Sequence, residues 1–247
     1  MSIGATRDAP SRILYQRCFW LFVVLLVLIG AVSFVPANDH GRLVVNGVNM
    51  FLLIATVAAV GRTTLSFVIA LSLAVPAVWF QYLGLWHDSD SALAGSWMFS
   101  AALYFVATAY LLRYVFQPRI MTQDKLFGAA AAYLTIGVFW AYLYALIGFF
   151  YPQSYMIVGH PGRLIYADAL YLSITVLTST GFGDVTPLTR QARGVCMIEQ
   201  IAGALFVAIL IARLAGVYPP RETYISDKAP YGQGGPRDDD PKAQLPG

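Results

Sequence analysis

The chain has 247 residues, 58% of them hydrophobic and 12% charged, with a formal net charge of +3. Soluble domains carry about 25% charged residues, so this composition excludes an ordinary water-soluble domain and marks a membrane protein. The small charge and the scatter of basic residues offer no nucleic-acid patch, and Cys18 and Cys196 both lie in apolar runs, leaving neither a disulfide framework nor metal-ligand spacing.

Residues 1–17 read as a cytoplasmic N-terminal segment carrying Arg7, Arg12 and Arg17, and residues 18–35 as a first spanning helix. Small residues around Val35-Pro36-Ala37 also fit a peptidase site. The apolar run exceeds the about 7–15 residues of a signal-peptide core, which favours retention. A second apolar run covers 43–60, with Asn46 and Asn49 placed to bond neighbouring helices rather than a ligand. Gly61-Arg62-Thr63-Thr64 reads as a tight turn, and residues 65–86 as a third helix with Pro76 as its kink. His87, Asp88 and Asp90 fall in a short loop. A fourth helix is expected over 92–116, reaching Arg113 ahead of Pro118-Arg119.

After a polar stretch at 121–125, a fifth helix is expected over 126–150. Residues 151–164, with Pro152, Gly159, Pro161 and Gly162, read as an irregular outer loop. His160 in that loop is placed as a proton sensor, although a lone loop histidine is more often simply solvated. Residues 166–178 form a short helix of about 18–20 Å at ~1.5 Å per residue, too short for a hydrocarbon core of ~30 Å. Gly181 and Gly183 follow, with Phe182 between them, and this alternation opens backbone conformations denied to residues bearing a Cβ. Successive carbonyl oxygens turned to one side replace the water shell of a dehydrated cation. Non-helical backbone at membrane depth survives only where protein or a water-filled cavity covers it. The negative end of the short helix favours a cation beside it, and Asp168 suits the opposite end.

A sixth helix is expected over 191–217, ended by Pro219-Pro220. The tail 218–247, with Gly232, Gly234, Gly235 and the run Asp238-Asp239-Asp240, is too polar to build a core and is expected to be disordered. With both termini inside, twelve basic residues are cytoplasmic, and Arg42, Arg163, Arg190 and Arg193 are left outside. That split agrees with six crossings and places Gly183 and Asp184 toward the exterior.

Thr178-Ser179-Thr180-Gly181-Phe182-Gly183-Asp184 resembles the selectivity-filter signature of tetrameric potassium channels, T-T-[VI]-G-[YF]-G-D. The similarity extends back through Asp168, Tyr171 and Ser173, forward to Pro187, and over the flanking helices, roughly residues 126–217. It implies an all-α membrane protein: six transmembrane helices plus a re-entrant pore helix and a selectivity-filter loop. The resemblance is to the six-helix, single-pore type lacking voltage-sensor charges. Residues 18–125 would form a peripheral four-helix domain and 126–217 the pore domain.

By that resemblance Ser179, Thr180, Gly181, Phe182 and Gly183 coordinate potassium ions, with Thr175, Thr178, Asp184 and Glu199 as support and Gly203 as a gating hinge. The family carries Thr where Ser179 stands and Val or Ile where Thr180 stands. Close helix packing is the alternative use of Gly203, flanked by Ala202 and Ala204. Glu199, the only carboxylate well inside an apolar helix, is placed either to stay protonated or to accept hydrogen bonds from Thr175 or Thr178 and stiffen the filter, with a purely structural bond as the alternative to a regulatory role.

One chain gives each filter layer one carbonyl, while a bound potassium ion needs about eight oxygens. The implied partners are therefore three further copies, in a homotetramer within membrane lipid. Potassium is the transported species and no cofactor is implied. The expected function is passive, potassium-selective conduction across the plasma membrane, with a bacterial inner membrane inferred from the compact design. Helix four has no basic residue before Arg113, so voltage gating is not expected. A weakly selective monovalent cation channel is the alternative. A transporter ranks third because the filter segment has no internal repeat, and no catalytic constellation points to an enzyme.

Overall fold

The computed structural model describes residues 17–35, 39–60, 64–87, 89–117 and 122–217, which fall in one compact unit. The expectations for residues 1–16, Gly61 to Thr63, Asp88, Pro118-Arg119 and the tail 218–247 lie outside the described residues. The helices are α1 (Arg17–Ser33), α2 (Asp39–Val60), α3 (Thr64–Trp86), α4 (Asp90–Val115), α5 (Gln123–Phe150), α6 (Tyr166–Leu177) and α7 (Arg190–Val217).

Two helices begin ahead of their apolar pattern because a cap sets the start. Ser89 caps α4 by accepting from Ala92 N at 3.4 Å, and Thr122 caps α5 by accepting from Lys125 N at 3.3 Å. Asp90 therefore opens a helix instead of lying in a loop. Helix α3 runs on through Pro76.

Among the described residues, α3, α4, α5 and most of α7 are long and apolar enough to cross a membrane. The apolar stretches described in α1 and α2 are Cys18–Val32 and Leu43–Val57. The start of α2 carries Asp39, His40 and Arg42 ahead of its apolar run.

Helix α5 is the centre of the packing, in contact with α1, α4, α6 and α7. Its buried positions include Gly128, Ala129, Ala131, Ala132, Gly137, Ala141, Ala145 and Gly148. Small residues let backbones approach where lipid supplies no hydrophobic drive between helices. Polar side chains complete the joins. Tyr142 O–H donates to Asn49 Oδ1, Gln81 Nε2 donates to Asn46 Oδ1 at 2.8 Å, and Thr108 Oγ1 donates to Thr135 Oγ1 at 3.1 Å. At the far end of α7, Arg213 donates to the carbonyls of Phe116 and Gln117, at 2.8 and 2.5 Å, just past the end of α4.

The segment expected to be an irregular loop instead contains strands. β1 (Tyr155–Ile157) pairs antiparallel with β2 (His160–Gly162) and with β3 (Val185–Pro187), in the order β2-β1-β3. The β1–β2 turn is Val158-Gly159, with φ of 48° and 85°. Positive φ at both central residues is the hairpin geometry that matches strand twist, and Pro161 is tolerated because β2 is an edge.

Candidate functional site

The site grows from the end of α6. Its final turn is satisfied locally: Thr178 N donates to Ile174 O at 3.0 Å and Ser179 N to Val176 O at 2.9 Å. The chain then leaves the helix while Thr175 O accepts from both Thr180 N at 2.8 Å and Gly181 N at 3.2 Å. Thr175 thus supports the segment through its carbonyl, whereas its hydroxyl bonds back to Leu172 O at 2.9 Å. Thr178 Oγ1 donates to Ile174 O at 2.7 Å and lies 2.8 Å from Thr180 Oγ1.

Beyond this point φ is positive at every second residue: Ser179 at 57°, Gly181 at 51° and Gly183 at 84°. The two glycines adopt it without steric cost, while at Ser179 it costs about 1–2 kcal/mol. Thr178 to Asp184 are all exposed on the single chain. The outer end of the segment is anchored twice. Val158 N donates to Asp184 O at 3.0 Å, and β3 continues directly into the sheet. Tyr171 O–H contacts the two carboxylate oxygens of Asp184 at 3.0 and 2.8 Å, and its ring stacks on Phe182 with centroids 6.3 Å apart. Burial first, and the negative charge of Asp184 second, push the Asp168 carboxyl above the usual carboxylate range.

Tyr171→Phe is expected to loosen this outer end. The bond joins an exposed hydroxyl to an exposed carboxylate, so its loss acts locally on the strand that follows. Amide hydrogen exchange over Gly183 to Val185 should therefore quicken by about fivefold, as read by mass spectrometry.

Behind the segment, three helices meet on one backbone oxygen. Leu177 O accepts from Tyr133 O–H of α5 at 2.9 Å. Gly203 of α7 lies so close that an added Cβ would stand 2.4 Å from that oxygen and 3.0 Å from Leu177 Cδ1. Close approach is the use of Gly203 visible in the fold. On α6 the next inward-facing polar residue, Ser173, is buried, with Oγ 2.7 Å from Gly137 O and 2.6 Å from Glu199 Oε1. Glu199 Oε2 accepts from Tyr144 O–H.

The expected partners of Glu199 are thereby corrected: they are Ser173 and Tyr144, not Thr175 or Thr178. The reason is helical phase. At 3.6 residues per turn, Thr175 lies about 200° and Thr178 about 140° around α6 from Ser173, so only Ser173 faces the Glu199 carboxyl. Gly137, Tyr133 and Tyr144 were missed because glycine and tyrosine in an apolar helix read as packing. A helical-wheel alignment of Ser173 with Leu177 was the available signal.

Helix α7 is held along one narrow stripe, Ala192, Cys196, Glu199, Gly203 and Phe206, all buried. Most of the remaining described residues, including Met197, Ile198, Ile201, Leu205, Ile209 and Ile211, are exposed, while Val195, Ala202 and Leu210 are half-buried.

Residues 130–218 match a family model described as "Ion channel". The match spans most of α5, the sheet, α6, the segment 178–184 and α7, and supports an ion channel in a multi-pass, mostly helical membrane protein. No curated protein and no solved structure matches the chain. The matched stretch covers well under half of the chain, so α1 to α4 lie outside the ion-channel similarity.

Proposed function

We propose that the protein is a potassium-selective channel that conducts passively as a homotetramer, with 179–183 of four copies forming the ion path. The observation that carries this reading is the run of alternating positive φ at Ser179, Gly181 and Gly183, set against the carbonyl end of a twelve-residue helix. Such a helix end carries about half a negative charge. The exposure of Thr178 to Asp184 supports the assembly, because unpaired backbone at membrane depth demands a covering of protein or channel water. The bare apolar face of α7 supports it for the same reason: three further copies would cover it.

In this arrangement α6 is a re-entrant pore helix, and α1 and α2 add two crossings to the four, giving six with both termini cytoplasmic. The location is a plasma membrane, consistent with a bacterial inner membrane. Ser179, Thr180, Gly181, Phe182 and Gly183 line the path, and Thr178, Thr175, Asp184 and Glu199 brace it. Ions in adjacent sites repel one another and advance by knock-on, with no reaction catalysed. Gly203 remains the hinge proposal beside its packing role. Arg113 is exposed at the inner end of α4, the first basic residue in that helix, so steep voltage dependence is not expected.

The test is the reversal potential of reconstituted protein under opposed potassium and sodium gradients. A value near the potassium equilibrium potential supports the reading, and carrier-like turnover without unitary currents overturns it. A reversal near zero favours the second reading, a weakly selective monovalent cation channel, which is motivated by Ser179 and Thr180 standing where the family has Thr and Val or Ile.

A further inference from the structure

The five oxygens of the cluster at Glu199 fix its protonation by counting hydrogens, a step that rests on the reading of 179–183 as an ion path for its functional meaning but not for its chemistry. Three close contacts run through the cluster: Tyr144 O–H to Glu199 Oε2, Glu199 Oε1 to Ser173 Oγ at 2.6 Å, and Ser173 Oγ to Gly137 O at 2.7 Å. Each contact needs one hydrogen between its oxygens. Gly137 O is a carbonyl and accepts only, Ser173 has a single hydroxyl hydrogen, and Tyr144 has another.

With an ionised carboxylate, two hydrogens must serve three contacts. One pair of oxygens is then left facing without a hydrogen, and Ser173 must abandon either the backbone of α5 or the carboxylate. With a hydrogen on Oε1 all three contacts are satisfied in one direction: Tyr144 donates to Oε2, Oε1–H donates to Ser173 Oγ, and Ser173 donates to Gly137 O.

The surroundings agree. Glu199, Ser173 and Tyr144 are fully buried. The titratable neighbours are Tyr133 and Tyr144 from α5, Tyr155 from β1, and Cys196 one turn back on α7. From α6 the group facing it is Ser173, and among the described residues no basic side chain pairs with Glu199. A buried charge without a partner is the costliest arrangement available, and a neutral carboxyl with both oxygens bonded avoids it.

We infer that Glu199 is a neutral carboxylic acid acting as a hydrogen-bond donor, a positioning residue that relays through Ser173 to the backbone of α5. It locks α5, α6 and α7 together behind the filter. Its neutrality also keeps four negative charges from accumulating at the rear of the tetrameric ion path, so that the field on the ions is set by the carbonyls.

The experiment is infrared difference spectroscopy on the full chain in lipid at neutral pH, wild type against Glu199→Gln, paired with currents from the same preparations. The expected result is a protonated-carboxyl carbonyl band present in wild type and missing in the variant. The amide copies the arrangement, with its N–H donating to Ser173 and its C=O accepting from Tyr144, so conduction should stay within about twofold. Glu199→Ala lacks the donor, and its open-state current should fall by about tenfold, equal to about 1.4 kcal/mol. Absence of the band difference, or equal loss of current in the Gln and Ala variants, overturns the inference. Absence of current in wild type sinks the channel reading instead and leaves the infrared result to stand on its own.

Discussion

Replacing Gly203 with alanine is expected to abolish assembly and current together. Two effects compete. Alanine in a helix interior gains about 1 kcal/mol over glycine by propensity. Against this, the new methyl would stand 2.4 Å from Leu177 O, a distance that forces one partner to move. Overpacking costs about 1–3 kcal/mol where side chains can yield. Here the obstructing atom is a backbone carbonyl at the end of α6, already held by Tyr133 O–H, so relief requires moving the end of α6 itself. The clash wins, and it recurs in every copy. On the proposed tetrameric reading, size-exclusion chromatography of detergent-extracted Gly203→Ala should show loss of the tetramer relative to wild type. A well-assembled variant with altered open probability would instead favour the hinge.

Gly183→Ala is expected to leave the chain folded and destroy selective conduction. Nothing of its own chain lies within 4 Å of a Cβ built there, so space is not the obstacle. Its φ of 84° is. An L-residue in the left-handed region costs about 1–2 kcal/mol, hence about 4–8 kcal/mol around the proposed four-fold path. The backbone would relieve this by turning its peptide, which takes a carbonyl off the axis. The measurable outcome is a normal chromatographic profile with potassium current lost, or with a reversal potential moved from the potassium value toward zero. Gly181→Ala, at φ 51°, should behave likewise. Retained potassium selectivity in both variants would remove 179–183 from the ion path.

The helix order was legible in the sequence because apolar runs and their breaks follow directly from what lipid tolerates. The segment 178–184 was legible because its glycines alternate. The sheet was not, since three-residue strands carry almost no periodicity and the turn at Val158 places a β-branched residue at positive φ, against its preference. Glu199 stood out as a lone carboxylate among apolar residues, yet its partners did not. Threonines 175 and 178 were nearer the motif, but the phase of α6 turns Ser173 toward it. The junction on Leu177 O was invisible for a simpler reason: every residue has a carbonyl, and only the converging backbones show which one matters.

The single buried stripe of α7 has a consequence for the life of a newly made subunit. Under the proposed assembly, a chain fastened along one line of α7 is unfinished on its own, with a greasy flank that lipid must wet until sister copies arrive. Orphan copies should therefore be short-lived in the cell, and a poisoned copy that still docks should silence its healthy neighbours.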